Sequence, residues 1–218
     1  MFNRIAPRYD LLNRVLSVGI DRRWRHAAIM AMTPPPRARV LDLCAGTLEV
    51  TKSLAEAYPD LSITAADFSA EMLARGKHKA PSANCVVADA MALPFADASF
   101  DAVICSFGIR NVANTEKAIR EVRRVLAPGS RFVTLEFFRG ARPITKAFHD
   151  SFARFVLPAC GRVLAGDRDA YRYLADSMAK FLLRAEYEAL LRSVGFSNVT
   201  STDLTFGVAS IVVAQASS

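Results

Sequence analysis

Arg39-Val40-Leu41-Asp42-Leu43-Cys44-Ala45-Gly46-Thr47-Leu48-Glu49-Val50-Thr51 is the stretch whose reading decides the fold. It opens as a short apolar run, with β-branched Val40 beside Leu41 and Leu43, as a strand buried on both faces requires. Ala45-Gly46-Thr47 follows, small residues that let backbone come close to a ligand. A helical stripe of Leu48, Thr51, Leu54 and Ala55 then begins. A buried strand, a tight small-residue turn and a helix N-terminus together form the geometry of a nucleotide site, and the plain alternative is an ordinary βα unit.

Outward from this stretch the alternation is regular. Strands are predicted at 39–44, 61–66, 84–88, 100–106 and 130–136, with helices at 49–58, 69–79 and 114–126 between them. Ala127-Pro128-Gly129 reads as a break before the fifth strand. Such connections give a parallel sheet covered on both faces by helices, with right-handed crossovers. A last helix at 185–194, ended by Gly195, precedes strands near 197–203 and 207–215.

The flanking segments are different. Residues 1–38 carry Phe2, Ile5, Tyr9, Leu12, Val15 and Leu16 at helical spacing, then a second helical pattern with Trp24, Ala27, Ala28 and Met32 before Thr33-Pro34-Pro35-Pro36. They are expected to cap the core. Residues 142–183 read as helix and loop with an apolar stripe of Phe148, Phe152, Phe155, Val156 and Leu157. With 218 residues and no linker or repeat, the chain is expected to be one domain, 1–218.

Composition narrows the function classes. The chain is 52% hydrophobic, 22% charged and carries a net charge of +7. Basic clusters at Arg22-Arg23-Trp24-Arg25, Arg123-Arg124, and Arg139 with Arg142 favour anionic surfaces or substrates, and scattered solvated arginines are the plain alternative. The longest apolar stretch, 206–216, falls short of the about 20 residues that span a bilayer, and Arg4, Arg8 and Asp10 interrupt any signal-like N-terminal core. An intracellular, cytoplasmic location is expected. Cys44, Cys85, Cys105 and Cys160 form no CxxC pair, and His26, His78 and His149 lack ligand spacing, so no metal site is expected.

Ligands of open α/β sheets bind beyond the carboxyl ends of the strands. There the sequence places Ala45-Gly46-Thr47, Asp67, Asp89-Ala90 and Ser106, one group after each of the first four strands. An acidic residue roughly 20 positions past the turn can accept hydrogen bonds from both ribose hydroxyls, and Asp67 has that spacing. Asp89 can accept from an adenine amine. For each taken singly, capping of a helix or turn is the alternative.

On these residues the chain resembles the class I S-adenosylmethionine-dependent methyltransferases, and within them the ubiquinone/menaquinone biosynthesis C-methyltransferases. General matches are Val40-Leu41-Asp42-Leu43, Asp67-Phe68-Ser69 with Met72-Leu73, and Asp89-Ala90-Met91-Ala92-Leu93-Pro94-Phe95. More specific ones are Phe2-Asn3-Arg4-Ile5-Ala6-Pro7-Arg8-Tyr9-Asp10, Ser106-Phe107-Gly108-Ile109-Arg110-Asn111-Val112, Leu135-Glu136-Phe137, Asp169-Ala170-Tyr171-Arg172-Tyr173-Leu174 and Leu204-Thr205-Phe206-Gly207-Val208. The resemblance implies a Rossmann-like, doubly wound α/β fold of seven strands in the order 3-2-1-4-5-7-6, with strand 7 antiparallel. It adds an N-terminal helical cap (1–38) and a helical substrate-side insertion (142–183).

It further implies S-adenosyl-L-methionine as methyl donor, held by Gly46, Thr47, Asp67, Phe68, Asp89, Ala90 and Ser106, with Arg110, Asn111 and Tyr9 as the catalytic candidates. The implied substrate is a prenylated quinol, demethylmenaquinol or its ubiquinol-pathway equivalent, drawn from an anionic membrane at the inner face of the cell. A homodimer is compatible with the sequence, and a nucleic-acid partner is not expected. For Arg110, a plain ion pair with Asp101 or Glu136 is the alternative. In one place the chain departs from the family turn of three glycines: Leu48 stands where the last of them belongs. A leucine directed into the cleft would weaken cofactor binding about 10- to 100-fold, since overpacking costs roughly 1–3 kcal/mol. A non-catalytic scaffold in a quinone-biosynthesis assembly, or an enzyme acting on another aromatic small molecule, are the competing readings.

Overall fold

The computed structural model describes residues 19–139 and 176–217. The chain order over these residues is α1 (Asp21–Met32), β1 (Arg39–Leu43), α2 (Glu49–Ala57), β2 (Ser62–Asp67), α3 (Ala70–Gly76), β3 (Asn84–Val87), β4 (Phe100–Ser106), α4 (Thr115–Val125), β5 (Leu126–Glu136), α5 (Arg184–Ser193), β6 (Phe196–Leu204) and β7 (Ala209–Ala216). Single 3₁₀ turns lie at Lys77–Lys79, Ile109–Asn111 and Thr205–Gly207. Residues 1–18 of the 1–38 cap, with Tyr9, and residues 142–175 of the 142–183 insertion lie outside the described residues.

The seven strands form one sheet in the order β3-β2-β1-β4-β5-β7-β6. The first five pair in parallel, and β7 runs antiparallel to both β5 and β6. This is the order and the reversed strand that the resemblance implied.

Alternation along the strands divides the core into two layers. Leu41, Leu43, Val103, Cys105 and Phe132 face a cluster with Ile119 and Val122 of α4 and with Tyr187 and Leu191 of α5. Val40, Ala65, Ile104 and Val133 face the other, with Ala28 and Ile29 of α1, Leu54 of α2 and Leu73 of α3. Asp42 shares the Val40 face, where its fully buried Oδ2 accepts a 2.5 Å hydrogen bond from Thr51 Oγ1 on α2. Burial raises its carboxyl pKa to about 7 against the Thr51 hydrogen bond that lowers it.

Two boundaries differ from the sequence expectation. Ala127-Pro128-Gly129 does not precede β5 but interrupts it: Leu126 pairs with Phe100 and the ladder resumes at Arg131 opposite Ala102. Pro128 has no N–H to give a ladder, and Gly129 takes φ +78, so the strand bulges instead of ending. The helix predicted over 69–79 ends as an α-helix at Gly76 and tightens into the 3₁₀ turn.

Candidate active site

The site is assembled at the carboxyl ends of four adjacent strands, β3, β2, β1 and β4. After β1 the chain turns through Cys44 (φ +57), Gly46 (φ +53) and Leu48 (φ +62), left-handed residues that curl the backbone before α2 begins. A left-handed conformation costs a non-glycine residue roughly 1–2 kcal/mol. The turn is pinned by hydrogen bonds from Ala45 N–H to the Ala66 carbonyl (3.0 Å) and from Leu48 N–H to the Ala45 carbonyl (3.0 Å).

Asp67, at the end of β2, joins this turn to the next loop. Its Oδ2 accepts from Gly46 N–H at 2.8 Å and its Oδ1 from Ser69 N–H at 2.8 Å. Burial raises its pKa, opposed by these two N–H donors. Each oxygen keeps a lone pair beyond the bond it accepts, so the carboxylate can hold the two loops and a pair of hydroxyls together. Phe68 beside it is 79% exposed, an apolar ring standing at the mouth of the cleft.

Asp89 follows β3 and caps its own turn, Oδ1 accepting from Met91 N–H at 2.8 Å, while Oδ2 has no hydrogen bond among the described residues. Ala90 is buried against the loop. Ser106 closes β4 with its Oγ buried and, among the described residues, without a hydrogen-bond partner. A buried hydroxyl left in that condition is uncommon and can accept a partner from a ligand at this strand end. Thr47 is also buried. The donors and acceptors at these strand ends therefore fit an adenosyl group with an amino-acid tail.

Leu48 does not enter the cleft. Its side chain is 0% exposed and lies in the apolar layer with Ile29, Leu54 and Leu73. The departure from the glycine-rich turn is met by a strained φ and by packing, and overpacking of the cleft does not arise.

The catalytic candidates of β4 lie in the 3₁₀ turn after it. Arg110 Nη1 pairs with Glu136 Oε1 at 2.6 Å and donates to the Phe107 carbonyl at 2.7 Å. Its Nε donates to Ser177 Oγ at 3.3 Å, and its guanidinium lies 5.6 Å from the Phe137 ring centroid. Nη2 makes no hydrogen bond among the described residues. Of the two carboxylates the sequence offered, Asp101 is taken by Arg39 at 2.7 Å and Glu136 holds Arg110. Asn111 Nδ2 donates to the Phe107 carbonyl at 3.4 Å.

Glu136, fully buried at the end of β5, also accepts from Phe137 N–H at 2.8 Å, and burial raises its pKa against the charge of Arg110. Its place as organiser of this corner was not read from the sequence, although an acidic residue ending an otherwise apolar strand is a signal of it. Beside it Phe107 and Phe137 stack at 4.5 Å, with Trp24 edge-on to Phe137 at 6.0 Å.

A sheet of this order, with polar groups at the ends of β1 to β4, is the Rossmann-like fold of the class I S-adenosylmethionine-dependent methyltransferases. The fold is shared with the methyltransferase of a Haloferax volcanii complex containing the Trm112 methyltransferase activator (TM-score 0.75, 17% identity, 100% of this chain and 98% of that one). It is also shared with a Haemonchus contortus N-methyltransferase solved with S-adenosylhomocysteine (TM-score 0.67, 15% identity, 89% and 52%). The chain belongs to the ubiE/COQ5 methyltransferase family, whose model matches residues 1–215. It is 44% identical to the demethylmenaquinone methyltransferase of Thermus thermophilus, over 98% of both chains. It is 40% identical to the ubiquinone/menaquinone biosynthesis C-methyltransferase of Geotalea daltonii, over 99% of this chain and 94% of that one.

Proposed function

We propose that the protein transfers a methyl group from S-adenosylmethionine to a ring carbon of a prenylated quinol, converting demethylmenaquinol to menaquinol or performing the ubiquinol-pathway equivalent. The carrying observation is the Arg110–Glu136 pair, buried at the ends of β4 and β5 with the Nη2 edge of the guanidinium left open.

When bound, S-adenosylmethionine supplies an electrophilic methyl on its sulfonium. Asp67 and Asp89 would hold its ribose and adenine, Phe68 would lie against the base, and Gly46, Thr47, Ala90 and Ser106 would complete its cradle. The ring carbon of the quinol is a weak nucleophile until the neighbouring hydroxyl loses its proton, which a water would take. Methyl transfer to that carbon would leave S-adenosylhomocysteine, and loss of the carbon's own proton to water would restore the aromatic ring. Arg110 stabilises the resulting phenolate through the Nη2 donors, and Glu136 keeps the guanidinium aimed so that no reorganisation is needed as charge develops. Glu136 is itself enclosed and hydrogen-bonded, so it orients Arg110 and does not abstract the proton. Asn111 belongs to the same wall in this reading, and Tyr9, which the resemblance would fold over the cofactor, lies outside the described residues.

A prenylated substrate resides in a bilayer. Arg22, Arg23, His26 and Met30 are exposed along α1, and neither Arg22 nor Arg23 has an acidic partner among the described residues, which suits contact with an anionic membrane. Among the described residues no helix is long and apolar enough to cross one.

The test is incubation of the purified protein with labelled S-adenosylmethionine and a panel of demethylated quinols under reducing conditions. Label in the ring methyl of one quinol is expected. Cofactor binding without transfer to any quinol would leave the scaffold reading in its place.

A further inference from the structure

We propose that Gly76, at the C-terminal end of α3, is a positioning residue for S-adenosylmethionine: with Leu48 it locks the turn after β1 into its binding shape. The proposal rests on the reading that the cofactor lies over that turn.

Gly76 has φ −79 and ψ −18, ordinary helical angles that any residue adopts. Helix propensity favours alanine there. The glycine is therefore required by a contact and not by its conformation. A Cβ on Gly76 would stand 2.5 Å from both the carbonyl carbon and the carbonyl oxygen of Thr47, and 2.7 Å from Leu48 Cγ. The first two atoms are backbone of the cofactor turn and cannot rotate away.

Leu48 is the matching half. In a turn with one glycine, its left-handed backbone (φ +62) is held by a fully buried side chain packed among Leu54 and Leu73. The absent Cβ of Gly76 leaves the space in which Leu48 and Thr47 sit. Leu73 belongs to α3, so the helix that leaves the space also grips the leucine.

Helix α3 is tied to the turn at its other end as well. It starts just after Asp67, whose Oδ2 accepts from Gly46 N–H at 2.8 Å, and Ser69 Oγ caps it by accepting from Met72 N–H at 3.2 Å. The helix thus acts as a strut between the carboxylate that would hold the ribose and the backbone that would meet the amino-acid end of the cofactor. Three residues past Gly76, in the 3₁₀ turn that follows α3, Lys79 Nζ pairs at 2.6 Å with Oε1 of Glu49, the first residue of α2 after the turn. Packing in this way preorganises a loop that carries a single glycine, Gly46.

The test is calorimetric titration of S-adenosylmethionine into the wild-type protein, Gly76→Ala, Leu48→Ala and the double variant, with thermal unfolding of each unliganded protein. Gly76→Ala is expected to bind at least tenfold more weakly, with KM for the cofactor raised and kcat at saturating cofactor near the wild-type value. Adding Leu48→Ala to Gly76→Ala is expected to recover part of that loss, because the Cγ clash disappears, although Leu48→Ala alone also weakens binding. Wild-type affinity in Gly76→Ala, or strictly additive losses in the double variant, would overturn the proposal. Should Gly76→Ala fail to fold, Leu48→Ala decides: unchanged cofactor affinity there overturns it. A wild-type protein that binds no cofactor would remove the site reading itself, an outcome distinct from a variant that binds as the wild type does.

Discussion

Glu136 Oε1 accepts from Arg110 Nη1 at 2.6 Å with side-chain exposures of 0% and 7%, so the end of β5 and the turn after β4 are joined by an ion pair out of water. Taking two charges from water is expensive, and such a pair is tolerated only where further hydrogen bonds complete it. Here Phe137 N–H, Arg110 N–H and the Phe107 carbonyl do so. The arrangement is a poor way to gain stability and a good way to fix a guanidinium.

From this follows a separation of stability from catalysis. Arg110→Ala leaves Glu136 buried and alone, and is expected to lower unfolding free energy by about 3–5 kcal/mol in denaturant titration. Arg110→Met with Glu136→Leu removes both charges and is expected to recover most of that stability. Turnover should stay lost in both, while S-adenosylmethionine affinity in the double variant remains within a few fold of wild type. A catalytically competent double variant would show that Arg110 serves structure alone.

Asp67 is expected to be the most sensitive residue for cofactor binding, because it acts twice. Asp67→Ala removes an acceptor from the ligand and releases Gly46 N–H and Ser69 N–H together. A hydrogen bond to a charged group contributes about 1.5–3 kcal/mol, so losing the two that the ribose hydroxyls would make is expected to lower affinity at least about 100-fold by calorimetry. Asp89→Ala, whose other interaction is with its own turn, should lose less.

The parts of the molecule legible in the sequence are those fixed by periodicity. Val40-Leu41-Asp42-Leu43 reads as a buried strand because alternate residues serve two cores, and Asp67 reads as a ligand group because its spacing puts it at the neighbouring strand end. Strand order beyond β5 is not a local property and came from the resemblance. The hidden elements are those set by contacts between distant residues. Gly76 and Gly108 both have negative φ, yet a Cβ on Gly108 would fall 2.3 Å from Cys44 Cβ, and no local pattern announces such an approach. A glycine inside a predicted helix, about 1 kcal/mol worse there than alanine, is the trace that Gly76 leaves in the sequence.

Asp42 gives the pH dependence. Its folded-state pKa is raised by burial to about 7, with Asp67 adding to the rise and Thr51 and Arg25 opposing it. The folded protein therefore holds a proton that the unfolded chain releases near pH 4, and stability falls as pH rises between those values. In Asp42→Asn, where the Thr51 hydroxyl keeps an acceptor, this part of the slope should vanish. The variant should gain stability relative to wild type from pH 4 to pH 8, by up to roughly 4 kcal/mol, in denaturant titrations at the two pH values. An identical slope in both proteins would assign the proton elsewhere, with Asp67 and Glu136, whose pKa values are also raised, as the next groups to examine.

Ser106 separates what the unliganded protein needs from what the ligand needs. Its Oγ is buried and has no hydrogen-bond partner among the described residues, so there it is a desolvated hydroxyl without return. Replacing such a group by a methyl leaves stability unchanged or raises it, since an unsatisfied buried polar atom costs about 1–3 kcal/mol. Ser106→Ala is therefore expected to unfold at the same temperature as wild type or a few degrees higher. If the hydroxyl meets the cofactor, the same substitution removes one neutral hydrogen bond, about 0.5–1.5 kcal/mol, and weakens S-adenosylmethionine binding by about 2- to 10-fold. A variant that is more stable and binds less tightly identifies Ser106 as a residue kept for its ligand. A variant that loses stability would show that the hydroxyl has a partner within the folded chain.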